Sequence, residues 1–297
     1  MLILLFINDL THSKSSPMYT FADDSALHIS SSFNSQPSSV ARSDSRTTLS
    51  SAINSDLRSI SEWGSQNLVK FNTSKTQFLP ISLSNFSSHP SIIFEDNSIE
   101  PLPSINLLGV QVSSNLSWKS HIIQIAKSAS KKLGVLFRCR KYFTSIQLFK
   151  LYIGLIRPCL EYCSHIWGSS PSVYLLDRVE SKAIRLINDS SLTSSLDSLS
   201  LRRKVASLSL FYRYYFGRCS AELKDRVPRP LRRPRCTRQA AVSHRYSVDL
   251  CNPRIGRYSD CFFPSTSRLW NSLPAAVFPA SYNLSSFKRQ AYHLLRS

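Results

Sequence analysis

Residues 18–29 place the strongest constraint on how the first part of the chain folds. They read Met-Tyr-Thr-Phe-Ala-Asp-Asp-Ser-Ala-Leu-His-Ile, so apolar and β-prone residues flank two adjacent carboxylates, Asp23 and Asp24, and no proline interrupts them. This pattern predicts two short antiparallel strands joined by a tight turn, with both carboxylates at its tip.

The paired carboxylates suggest a metal site. Two neighbouring carboxylates repel each other unless a cation lies between them and another group. Hard divalent ions such as Mg²⁺ take oxygen ligands, usually one or two protein carboxylates together with substrate phosphates. Asp23 and Asp24 are therefore candidate Mg²⁺ ligands in half of a two-metal nucleotidyl-transfer site. For an isolated Asp-Asp pair an ordinary polar turn is the commoner explanation, so the surrounding sequence has to decide.

The positive charge of the chain is unevenly distributed. The formal net charge is +19, yet residues 1–120 carry 7 Lys and Arg against 9 Asp and Glu, whereas residues 121–297 carry 30 against 9. A near-neutral first part and a strongly basic second part are typical of a carboxylate site followed by a phosphate-binding surface. A charge that serves solubility alone is the alternative, and the lopsided distribution argues against it.

Cysteine usage bears on the compartment. Seven cysteines without a Cys-x-x-Cys pair predict reduced thiols and an intracellular protein, in the nucleus or the cytoplasm. Cys159, Cys163 and His165 have roughly zinc-like spacing, but no second ligand pair lies near them in the sequence, so packed cysteines are favoured over a zinc site. The apolar run 1–7 is too short to span a membrane, and no membrane partner is expected.

Two amphipathic helices are predicted in the basic part, at 121–141 and 172–189. At 100° per residue, each helix carries basic residues opposite its apolar face. These residues are Lys127, Lys131 and Arg138 on the first helix, and Arg178, Lys182 and Arg185 on the second. One solvated basic face is common, but two with few acids between them favour a surface that contacts the backbone of nucleic acid. The intervening run Ile146–Ile156 is apolar nearly all round and is expected to be buried.

Other segments are predicted from periodicity and turn residues. A helix is expected from Thr47 to Gly64, packed on the sheet that carries the hairpin, and a further amphipathic helix at 202–216. Residues 68–71 and 76–79 are expected to form two short strands around a turn. Residues 262–295 are assigned a structural role, with a helix near their end.

An arginine- and proline-rich segment spans residues 226–238. Its prolines exclude a regular helix, so an extended arm is predicted. Arginines can contact phosphates with two parallel hydrogen bonds, and a basic arm can become ordered on RNA. A nuclear-localisation patch competes for the same residues. The candidate nucleic-acid ligands are Arg229, Arg232, Arg233 and Arg235.

Six short stretches together resemble one family, the reverse transcriptases of non-LTR (LINE-type, jockey-like) retrotransposons. Phe21-Ala22-Asp23-Asp24 resembles their catalytic hairpin, and the other stretches resemble flanking elements of the same family in the same order. Each match alone is weak, whereas six in register over nearly the whole chain are strong. The other five are 4–10, 72–76, 108–121, 156–167 and 262–288.

The resemblance implies an α+β fold made from the back part of a polymerase. It implies a partial palm at 1–112 (β-hairpin, helix and short strands), a mainly α-helical thumb-like domain at 113–216, and a basic arm and C-terminal region at 217–297. The implied activity is RNA-directed DNA synthesis with Mg²⁺ in the complete parent enzyme, on an RNA template and a DNA primer. The implied metal ligands are Asp23 and Asp24.

Lys75 is implied to lie near the incoming triphosphate and to protonate the leaving pyrophosphate, which a lysine with a lowered pKa can do. A solvated turn lysine is the competing interpretation. The family's first catalytic carboxylate and its fingers have no counterpart here, and the chain starts after both. We therefore expect this chain alone not to polymerise. The alternatives are a non-catalytic RNA- or DNA-binding protein derived from the element, and a decayed pseudogene product. A ribonucleoprotein with the element's RNA is a further expected assembly.

Overall fold

The computed structural model describes residues 10, 16–22, 24–30, 39–81, 89–220, 223, 226–231, 244–250 and 256–296, with side chains from residue 47 onward in the first long helix. The chain divides into two compact units, Met1–Leu116 and Ser117–Ser297. The small antiparallel sheets of the described residues lie with helices in the first unit, and the described ranges of the second unit are helical, so the chain has an α+β composition at the coarse level. None of the described helices is both long and apolar enough to cross a membrane.

The first unit contains the predicted hairpin. Strands β1 (Met18–Phe21) and β2 (Asp24–Leu27) pair antiparallel, with Met18 opposite Leu27 and Phe21 opposite Asp24. Ala22 has a φ of 53°, in the left-handed region that a two-residue hairpin loop requires. The prediction of strand, tight turn and strand is therefore confirmed for the described residues.

A long helix and two further hairpins complete the first unit. Helix α1 runs over Ser39–Gln66, so it begins eight residues before the predicted start. Met18 and Leu27 of the hairpin pack against the cluster that contains Ile60 of α1, as expected. The other strands are β3 (Ile93–Phe94), β4 (Asn97–Ser98), β5 (Ser104–Leu107) and β6 (Val110–Ser113), paired β3 with β4 and β5 with β6.

The predicted strand pair at 68–71 and 76–79 is wrong. The segment forms a single 3₁₀ turn, Thr73–Lys75, and one isolated bridge between Phe78 and Pro101. Local hydrogen bonds to Asn72 compete with a ladder, because Ser74 Oγ donates to its Oδ1 at 2.6 Å and the Lys75 N–H donates to its carbonyl at 3.1 Å.

The second unit is helical in its described ranges. Its longer helices are α2 (Lys119–Cys139), α3 (Ser145–Leu151), α6 (Tyr174–Ile187), α8 (Leu199–Tyr215), α10 (Phe262–Asn271) and α11 (Leu284–Arg296). The shorter ones are α4 (Arg157–Glu161), α5 (Ser164–Trp167), α7 (Ser190–Thr193) and α9 (Gly256–Ser259). The helices predicted at 121–141, 172–189 and 202–216 are confirmed as α2, α6 and α8.

Two hydrophobic cores organise this unit. The first joins α2, α3, α4 and α6 through fully buried side chains such as Ile122, Leu160 and Leu176. The second joins α8, α10 and α11, where Tyr212 stacks on Phe287 with ring centroids 4.3 Å apart and Trp270 lies 4.9 Å from Phe211. Leu199 of α8 belongs to the first core and Leu208 to the second, so α8 connects them.

The expectation that Ile146–Ile156 is buried all round is wrong. Tyr152 and Ile156 are buried, whereas Ile146 is 53% and Leu155 is 52% exposed. The chain widens into a π-helix at Tyr152–Ile156 and continues into α4, where Pro158 occupies one of the first positions. Proline is tolerated there because the N–H groups of a helix's first turn have no intrahelical partner.

Replacing a buried and an exposed isoleucine should separate the two faces of this helical stretch. Ile156→Ala removes a fully buried side chain and leaves a cavity, so we expect the free energy of unfolding to fall by about 2–5 kcal/mol. Ile146→Ala should change it by less than about 1 kcal/mol, because that side chain is half exposed. Urea unfolding followed by circular dichroism measures both. Equal losses would contradict the one-sided burial.

Candidate nucleic-acid interface

The carboxylate of Asp24 lies at the start of β2 and is exposed. Asp24 forms no ion pair within the described part of the chain. Asp23 lies outside the described residues. An exposed carboxylate fits one position in the shell of a Mg²⁺ ion that takes its other ligands from phosphates and water. In the described ranges, no three His, Cys, Asp or Glu side chains are grouped to hold a metal ion.

Lys75 ends the 3₁₀ turn of the first unit. Its side chain is exposed, and in the described residues no acid pairs with it. The turn is held by the backbone of Asn72 and Thr73, so the position of Lys75 is fixed at the main chain while its ammonium group remains free to move. Among the residues that the structure describes, Lys75 and Asp24 form no ion pair with each other.

Helix α2 presents the first predicted basic row to solvent. Ile122, Ala129 and Leu133 lie in the first core. The three predicted cations are exposed on the far side of the helix. They are Lys127, Lys131 and Arg138. Burial of the apolar stripe therefore forces these cations outward, since residues three and four apart share a face of the helix.

Helix α6 repeats this arrangement. Leu176, Ala183 and Ile187 are buried, and the predicted basic residues Arg178, Lys182 and Arg185 are exposed. Helices α2 and α6 pack directly against each other in the first core. Arg185 Nε donates to the Ser181 carbonyl 3.3 Å away on its own helix. We call these six cations of α2 and α6 the basic rows.

The basic rows carry uncompensated charge. None of their six side chains forms an ion pair within the part of the chain that the structure describes. Exposed cations without acid partners attract the phosphates of nucleic acid and release the counterions bound there. The rows are therefore suited to contact a phosphate backbone.

Aromatic side chains accompany the cations at the end of α2, a feature that the sequence analysis missed. The guanidinium of Arg140 lies 4.1 Å from the ring centre of Phe137, and Lys141 Nζ lies 4.9 Å from that of Tyr142. Phe137 and Tyr142 are 55% and 73% exposed. Exposed rings next to cations are typical of surfaces that bind nucleic acid. The sequence signal was the cluster of three basic residues between aromatic residues over 137–143.

The acids near the first core are occupied inside the unit. Glu161 accepts hydrogen bonds from Arg157 and Arg202, with Arg202 Nη2 at 2.9 Å from Oε2. Asp177 Oδ1 lies 2.7 Å from Nη2 of Arg203, whose side chain is buried. Arg202 and Arg203 both belong to the first turns of α8. These acids tie α4 and α6 to α8 and leave the basic rows unneutralised.

Glu180 is a third acid of this kind. It is buried, accepts from the Tyr152 hydroxyl at 3.4 Å, and accepts from the Leu199 N–H at 3.2 Å, the first N–H of α8. Burial raises the pKa of Glu180, because removal from water penalises the charged carboxylate. Burial and the nearby Glu180 carboxylate raise the pKa of Tyr152 as well.

The remaining predicted ligands lie elsewhere. Arg229 is exposed, and its carbonyl accepts from the Asp249 N–H at 2.8 Å beside the bridge between Pro230 and Val248. Arg232, Arg233 and Arg235 lie outside the described residues. Cys159, of the zinc-like triplet, lies 2.8 Å from Lys132 Nζ.

Comparison of the chain with models of protein families, with curated protein sequences and with solved structures finds no match. The resemblance to reverse transcriptases therefore depends on the residues quoted above. Any function for the chain has to be proposed from those residues and from the geometry of the basic rows.

Glu180→Gln keeps the shape of the side chain and removes its charge. The pKa of Glu180 is raised in the folded protein, so the folded protein keeps the Glu180 proton to a higher pH than the unfolded chain does. The wild-type free energy of unfolding should therefore lose a contribution as the pH rises from about 4, near the ordinary glutamate value, through the raised pKa. The variant should lack this loss. Its free energy of unfolding, measured by urea titration, should therefore rise relative to that of the wild type between pH 4 and pH 7. A difference that does not change with pH would contradict the buried-charge assignment.

Proposed function

We propose that this chain is part of an RNA-directed DNA polymerase of a non-LTR retrotransposon, and that its second unit holds the RNA template and DNA primer by their phosphates. Within the 297 residues, nucleic-acid binding is the activity we expect to be retained. Polymerisation with Mg²⁺ belongs to the complete parent enzyme. A ribonucleoprotein with the element's RNA follows naturally from such binding.

One observation carries the proposal. The basic rows of α2 and α6 are exposed without acid partners in the described ranges, while Glu161, Asp177 and Glu180 are engaged internally. A fold that engages its acids in internal pairs and leaves its cations exposed presents positive charge to solvent at those cations. Such a surface attracts a polyanion at long range and orients it at contact.

Loss of three cations from α2 should weaken binding in a way that depends on salt. Each phosphate contact contributes about 0.9 to the slope of log K against log salt concentration on duplex DNA. The variant with Lys127→Gln, Lys131→Gln and Arg138→Gln should lose roughly 2–3 of that slope. Fluorescence anisotropy of a labelled RNA–DNA duplex over a series of salt concentrations measures the slope.

A matched control removes three exposed charges from another part of the unit. The control carries Arg213→Gln on α8 and Lys288→Gln and Arg289→Gln on α11. It changes the net charge of the chain by the same amount as the α2 variant. We expect this control to lose less than one unit of slope. If the control and the α2 variant lose the same slope, affinity follows net charge and the basic rows are not the interface.

The polymerase part of the proposal concerns the hairpin. A two-metal site needs a carboxylate from a separate strand as well as from the hairpin, and no other stretch of the chain resembles that element. We therefore expect the purified chain with Mg²⁺, an RNA template and a DNA primer to extend no primer above background. Extension that Asp23→Asn and Asp24→Asn abolish would contradict this expectation.

A second candidate function is a non-catalytic RNA- or DNA-binding protein derived from the same element. It is favoured by the fact that the basic rows belong wholly to the second unit, whereas the hairpin belongs to the first. It predicts binding that is indifferent to Asp23→Asn, with the same slope against salt as the wild type. Restoration of Mg²⁺-dependent extension by a polypeptide that supplies the missing carboxylate strand would instead favour the polymerase.

A further inference from the structure

A small cavity lies beside the second core, at the start of the arginine- and proline-rich segment. Its volume is about 210 Å³. Tyr258 of α9, with Phe263 and Pro264 of α10, forms an apolar wall, and Arg226 and Arg229 line the cavity from the other segment. This site lies away from the basic rows in the sequence and includes Arg229, one of the predicted nucleic-acid ligands.

A buried hydroxyl at this cavity has no partner. Ser267 lies one helical turn after Phe263 on α10 and lines the cavity. Its residue is 1% exposed, and its Oγ makes no hydrogen bond within the part of the chain that the structure describes. Buried hydroxyls are normally satisfied, so an unpartnered one beside a cavity points to a polar group brought by a ligand.

The two arginines are free to contact an anion. Arg226 and Arg229 are exposed, and neither forms an ion pair in the described ranges. Among the described residues, Asp249 contacts Arg229 through its backbone, since the Asp249 N–H donates to the Arg229 carbonyl, and neither Asp249 nor Asp260 forms an ion pair with the two arginines. The rim of the cavity is therefore cationic while its wall is apolar.

We propose that this cavity takes one unpaired base of a single-stranded nucleic acid. The base would stack on Tyr258, its edge would meet the Ser267 hydroxyl, and its flanking phosphates would contact Arg226 and Arg229. The volume agrees, because pockets for whole drug-sized ligands measure roughly 300–1,000 Å³ and this one has room for a flat base but leaves sugar and phosphate outside. Aromatic stacking with arginines on the phosphates is the common way to hold single strands.

The inference rests on the proposed nucleic-acid function but can fail separately from it. The probes are a labelled strand of twelve thymidines and the same strand with abasic sites, which has equal charge and no bases. The full chain should bind the thymidine strand at least fivefold more tightly, since stacking of one base is worth about 1–3 kcal/mol. Tyr258→Ala should remove this difference, and Tyr258→Phe should keep it.

Two further variants guard against misinterpretation. Tyr174→Ala removes another exposed tyrosine of the same unit, which lies neither at the cavity nor among the aromatic residues at the end of α2, and should preserve the preference for the thymidine strand. Ser267→Ala should weaken thymidine binding about threefold to tenfold without lowering the melting temperature, because it deletes a hydroxyl that has no partner in the free protein.

The outcomes separate the two proposals. If the wild type binds both strands equally and salt-dependently, or if Tyr258→Ala leaves its preference intact, the base-binding inference is overturned while nucleic-acid binding stands. If the wild type binds neither strand nor an RNA–DNA duplex, nucleic-acid binding itself fails. Competition by a polyglutamate peptide that depends on Tyr258 would assign the cavity to an acidic protein ligand and overturn the inference.

Discussion

The burial of the apolar stripe of α2 is the constraint on which the second unit depends. Ile122, Leu133 and Leu136 each lose almost all contact with water, which stabilises the fold by roughly 1.5–3 kcal/mol per side chain. Because a helix turns 100° per residue, the same rotation that buries them points Lys127 and Lys131 to solvent. The basic row is thus a geometric consequence of the core and does not depend on how the lysines themselves interact.

Acids and bases are separated by the demands of helix packing. Helix α8 starts in the first core and ends in the second, and its first turns need partners for Arg202, Arg203 and the Leu199 N–H. Glu161, Asp177 and Glu180 meet those needs from α4 and α6. Removing one partner of such a pair leaves a charge buried alone, which is costly. The acids are therefore committed to structure, and the surplus of cations is left for the surface.

The spacing of apolar residues in the sequence predicted the elements whose structure depends on local geometry. The hairpin at 18–27, the helices α2, α6 and α8, and the exposure of the basic rows all follow from spacing alone. The prediction that the run Ile146–Ile156 is buried was wrong, because a uniformly apolar run does not indicate which face of the helix is covered. Neighbouring elements cover only one face. The strand pair predicted over residues 68–79 did not form, because side chains make local hydrogen bonds to Asn72 in place of strand pairing. The cavity could not be predicted, since its walls come from three segments that only tertiary packing brings together.

The two parts of the proposed function place different demands on the chain. Metal-dependent transfer requires carboxylates held within about 0.5 Å of their working positions by a supporting shell. Phosphate binding requires only that cations on long, flexible side chains face the polyanion, and most of its energy comes from released counterions. A helical core that buries its apolar stripes keeps the second property automatically, whereas the first requires every carboxylate strand of the site to be present. Under the proposed function, nucleic-acid binding is therefore the activity expected of this chain by itself.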